Sequence, residues 1–92
     1  MKLSWDEAKR QATLAGRGLD FASAGEVFGG VHFTRADGRK NYGEPRFITA
    51  GHLSSRMVVV VWTPRGSIRH IISMRKANDR EQKRFAKALE QG

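Results

Sequence analysis

The chain has 92 residues, enough for one domain with a modest core. Its 39% hydrophobic and 28% charged residues exclude a disordered chain, no apolar run reaches the roughly 18 residues of a membrane span, and the first residues lack a signal peptide's apolar core. There is no cysteine, which removes disulfides and thiolate metal sites and makes the cytoplasm the simplest expected location, while a net charge of +8 and a pI near 10.9 point to a polyanionic partner.

In chain order, Ser4-Trp5-Asp6-Glu7 reads as a capping box, with Ser4 as the cap and Leu3 and Ala8 placed for a hydrophobic staple. Trp5, Ala8, Ala12 and Ala15 share one face of the helix this predicts, and Gly16 and Gly18 end it. Asp20 is a second N-cap, before a short helix whose apolar face is Phe21, Ala24, Val27 and Phe28. Gly29-Gly30 stops that helix.

From Val31 the pattern alternates, with Val31 and Phe33 on one face and His32 and Thr34 on the other. Asp37-Gly38 signals a turn, and the polar segment 39–44 is expected as a loop. Residues 46–53 form a second strand, with Phe47, Thr49, Gly51 and Leu53 opposite Arg46, Ile48, Ala50 and His52. After Ser54-Ser55, residues 57–63 are apolar on both faces, as in a central strand. A turn at Pro64-Arg65-Gly66-Ser67 leads to a fourth strand, whose strict alternation sets Ile68, His70, Ile72 and Met74 against Arg69, Ile71, Ser73 and Arg75. Asn78, with Glu81 three residues on, predicts a last helix over residues 79–90, with a thin apolar stripe of Phe85, Ala86 and Leu89. The predicted fold is α+β: one domain over residues 1–92, with two N-terminal helices, a four-stranded antiparallel sheet and a C-terminal helix.

Metal and cofactor chemistry finds no support in the residues. His32, His52 and His70 lack ligand spacing, and no phosphate-binding loop, dinucleotide fingerprint or nucleophile elbow is present. No cofactor is expected. What remains is cationic. If the second and fourth strands flank the third, Arg46 and Arg69 lie on one face, Arg75 shares it with Arg69 by alternation, and Lys76 follows. A sheet face carrying several guanidiniums calls for anions, with Glu44 supplying part and a phosphodiester the rest. Alternatively, these arginines snorkel to solvent or pair with Asp6, Asp20 and Glu26. Metal-free RNA cleavage needs a base for the 2′-hydroxyl, cations for the growing charge and an acid for the leaving oxygen. Arg46, Arg69 and Arg75 suit charge stabilisation, Lys76 suits that or proton transfer, and Glu44, His52 or His70 could move protons.

These residues resemble the BrnT family of toxins, which are similar in fold to RelE-type ribonuclease toxins. The resemblance runs through Trp5-Asp6-Glu7-Ala8-Lys9, Gly18-Leu19-Asp20-Phe21, Glu44-Pro45-Arg46-Phe47-Ile48 and Val59-Val60-Val61. It closes on Ile68-Arg69-His70-Ile71-Ile72-Ser73-Met74-Arg75-Lys76-Ala77, which looks like the family's R-I-I-S-x-R-K-A signature. It implies a small basic endoribonuclease that cuts mRNA and halts translation. It also implies a BrnA-like antitoxin that carries the operator-DNA contacts and joins the toxin in a heterotetramer. Carried over, Glu44, Arg46, Arg69, Arg75 and Lys76 are the expected catalytic residues; Arg17, His52, Arg56 and Arg80 are expected as RNA contacts. Three places depart from the family pattern: Gly16-Arg17 where Lys-His is usual, Thr13 for an asparagine, and Phe85 for an aromatic hydroxyl. Gly16-Arg17 and Phe85 favour the alternative of a non-catalytic module that binds antitoxin and nucleic acid and acts in operon autoregulation.

Overall fold

The computed structural model describes residues 2–38 and 43–91. The elements, in order, are β1 (Lys2–Trp5), α1 (Glu7–Arg17), a 3-10 turn (Phe21–Ser23), α2 (Ala24–Gly29), β2 (His32–Ala36), β3 (Phe47–Leu53), β4 (Arg56–Arg65), β5 (Ile68–Lys76) and α3 (Asp79–Gln91). The expected loop at 39–44 falls largely outside the described residues, as does the side chain of Leu89.

The antiparallel meander β2-β3-β4-β5 is present, with β4 inside it, as its two apolar faces require. The predicted sheet gains a fifth strand. Residues 2–5 do not belong to the first helix but pair in parallel with Ile68–Ile71, giving the order β1-β5-β4-β3-β2. The cap therefore moves from Ser4 to Asp6, whose Oδ1 accepts the Lys9 N–H at 3.1 Å. The reason is tertiary: without β1, this part of β5 would present unpaired backbone groups. Gly18, in the left-handed region at φ 69°, ends α1, and its N–H reaches the Leu14 carbonyl.

The 3-10 turn and α2 cover one sheet face. Phe21, Ala24 and Val27 bury against Val58, Val60, Trp62, Ile71 and Met74, with Leu3, Trp5, Phe28, Phe47 and Leu53 packed around them. Gly51 admits Val27; a Cβ there would stand 2.8 Å from Val27 Cγ1. Inside this face, Trp62 Nε1 donates to Thr49 Oγ1 at 2.8 Å, and Thr49 shares a 2.8 Å hydrogen bond with Thr34. These three polar side chains thus satisfy one another across three strands. The opposite face meets α3 through Phe85, beside Phe33, Ile48, Ala50 and Val59. Asn78 and Glu81 form the predicted reciprocal box, at 2.8 and 2.9 Å.

One irregularity redistributes the cations. The β4–β5 register shifts between Val61, opposite Ser73, and Trp62, opposite Ile71, which leaves Ile72 as an extra residue. Ile71 and Met74 consequently share the core face, although strict alternation would separate them. Arg69 and Arg75, expected on one face, fall on opposite faces.

Candidate active site

The predicted cationic set does not converge. Arg69 lies on the core face, its guanidinium carbon 4.0 Å from the Phe28 ring centroid and 5.2 Å from that of Trp62. Its Nε is buried and makes no hydrogen bond. Arg75 lies on the α3 face and meets Glu81 through two hydrogen bonds of 2.7 Å. That pairing, helped by the Asn78 N–H, holds the Glu81 carboxyl down at about 2. Exposed Lys76, opposite Val58, has the parity of the core face and diverges from Arg75. Arg46 is half-buried just before β3, and the Asp37 N–H donates to its carbonyl at 2.8 Å. Arg56 and Arg80 are exposed at the start of β4 and on the first turn of α3. His52 is exposed, its ring 6.5 Å from Phe85.

The acids expected to pair with sheet arginines are engaged elsewhere. Asp6 caps α1, Asp20 accepts Arg10 Nε at 2.7 Å, and Glu26 accepts the Ser54 N–H. Asp20 also accepts the Ala22 N–H at 2.9 Å, so it is both the predicted cap and the anchor of α1.

A different group of residues does come together, on the sheet face away from the core. His70 on β5 stands in register with Ser4 on one side and Thr63 on the other. Its Nδ1 is 2.8 Å from Ser4 Oγ. Thr63 donates to the Pro45 carbonyl, which ties the segment carrying Glu44 to β4. Burial lowers the His70 pKa first, then Arg65; Lys9 adds to this, while Glu44 and Asp6 oppose it. Of the two histidines left open with Glu44 as proton carriers, His70 sits amid polar and charged groups and His52 stands against a phenyl ring. Ser4, Lys9 and Arg65 could not be assigned here from sequence, because β1 was not legible and no spacing along the chain ties Lys9 or Arg65 to His70.

Alongside runs a groove of about 400 Å³ between α1 and the part of β5 that β1 leaves uncovered. Lys9, Thr13, Gly16, Arg17, Ile72 and Ser73 line it. Arg17 Nη1 donates to the Met74 carbonyl at 2.9 Å, so that cation is fixed on the strand edge. A second hollow, of about 340 Å³, lies between β2, β3 and α3; it is apolar within, with Arg35 and Arg84 among its lining residues. Among the described residues, no three His, Asp or Glu side chains are grouped to hold a metal ion.

A small basic α+β domain with a cationic groove beside a polar, histidine-bearing sheet face is of a class suited to polyanions. The particular family is shown by sequence: the chain belongs to the BrnT ribonuclease toxins of type II toxin–antitoxin systems, whose family model matches residues 5–81. No individually curated protein matches it. No helix among the described residues is long and apolar enough to cross a membrane.

Proposed function

We propose that this protein is a metal-independent endoribonuclease that cuts mRNA in the cytoplasm, and that a BrnA-type antitoxin neutralises it. The observation that carries the reading is the groove along β5, where Lys9 and Arg17 lie on one wall beside the His70 cluster. A phosphodiester backbone fits a groove of this charge, and Glu44, Arg46, Arg65 and Lys9 are the side chains we assign to the reacting phosphate and its protons. Arg69, Arg75 and Lys76 act outside that cluster. The test is expression of the toxin alone from a tightly repressed promoter. Growth arrest with loss of intact mRNA is expected, as is RNA cleavage by purified protein in EDTA. Normal growth with intact RNA would defeat the reading.

For the partner, the apolar hollow between β2 and α3 suits an antitoxin segment with an apolar side chain for the hollow and carboxylates for Arg35 and Arg84. Operator DNA would be reached through the antitoxin, in a heterotetramer. A second reading, that of a binding module without chemistry, draws on one observation. Thr13, Gly16 and Arg17, which depart from the family pattern, all line the β5 groove. RNA bound tightly and salt-sensitively but left uncut would favour it.

A further inference from the structure

We infer that His70, held in place by Ser4, is the base that takes the 2′-hydroxyl proton when this protein cuts RNA. The inference rests on the ribonuclease reading above. Three features single out His70. Its Nδ1 is occupied by Ser4 Oγ at 2.8 Å, and among the described residues nothing bonds its Nε2. Charges from three elements act on it electrostatically: Arg65 on β4, Glu44 before β3, and Lys9 and Asp6 at the start of α1. The other histidines are placed differently, His32 with its Nδ1 2.8 Å from the Gly30 carbonyl and His52 against Phe85.

The working tautomer has Nδ1–H donating to Ser4 Oγ, which leaves the lone pair on Nε2. Nε2 takes the 2′-hydroxyl proton and the 2′-oxygen forms a bond to phosphorus. The bond from phosphorus to the 5′-oxygen breaks, and that oxygen keeps the electron pair and takes a proton from water. The imidazolium returns its proton to the hydroxide so formed. The products are a 2′,3′-cyclic phosphate and a 5′-hydroxyl, with no oxidant or cofactor consumed. Arg65 and Lys9 offset the charge that grows on the phosphate. Burial, then Arg65 and Lys9, disfavour the imidazolium more than Glu44 and Asp6 favour it, so the His70 pKa lies below its ordinary value, in the direction a general base needs.

The experiment uses full-length toxin and a defined oligoribonucleotide, with RNA affinity and thermal melting measured alongside. His70→Gln should lower kcat by about 10²- to 10⁴-fold, the range of a lost general base, with RNA affinity and melting unchanged. The wild-type rate should fall on acidification with a midpoint below 6.5, and that limb should vanish in His70→Gln. Ser4 is a positioning residue: Ser4→Ala should lower kcat but not raise KM, and Ser4→Thr, which restores the hydroxyl, should recover the rate. A wild type that cuts RNA alongside an equally active His70→Gln, or with no ionisation below 7, overturns the assignment and leaves the ribonuclease reading intact. A wild type that binds RNA without cutting it overturns both.

Discussion

At the scale of single residues, the arginines have been assigned by what they touch. Arg69 spreads over Phe28 and Trp62, so its guanidinium caps the aromatic end of the core. A lysine would lose the planar stacking. Arg75 serves the first turn of α3 by fixing Glu81, which in turn caps Asn78. A titration follows from this. The folded pKa of Glu81 lies near 2, below its ordinary 4.5. Its contribution to stability is therefore complete above about pH 4.5 and is lost as pH falls towards 2. Thermal melting across that window should show wild-type stability dropping more steeply than that of Glu81→Gln; parallel curves would mean the pair adds nothing. That both residue types belong in this protein was legible from the chain. Their facing was not, because Ile71-Ile72 is equally apolar at either parity and conceals the extra residue.

At the scale of elements, what alternation and capping dictate locally is what came through. The strand β4 had to be internal because both its faces are apolar, and the Asn78–Glu81 box marked the start of α3. The strand β1 was hidden because Ser4 and Glu7 have helix-capping spacing and only β5, far along the chain, decides against it. The contact between α2 and β3 offers a sharper test. Gly51→Ala puts a methyl into Val27 and should cost about 1–3 kcal/mol, read from denaturant unfolding. In a Val27→Ala background the cost should shrink, since the two residues compete for one space.

At the scale of the whole molecule, the two proposed partners fall to two different surfaces. The cationic groove lies along β5 and α1, while the apolar hollow lies under α3, beside β2 and β3. Phe33, 45% exposed at the hollow, belongs only to the second. Phe33→Asp should therefore weaken antitoxin binding by about 2 kcal/mol, the scale of an interface hot spot, which is roughly a 30-fold loss of affinity. RNA cleavage by the free toxin should be unchanged. Calorimetry of the pair and the oligonucleotide assay check the two halves of this. The join of β1 to β5 carries a last consequence, for the protein during its own synthesis. Ser4 and His70 are 66 positions apart, and parallel pairing of chain ends is late and slow. A chain still on the ribosome has Ser4 but not yet the strand that receives it. The pair assigned to the chemistry is thus assembled only after β5 is made, so the proposed cleavage would have to wait for that strand.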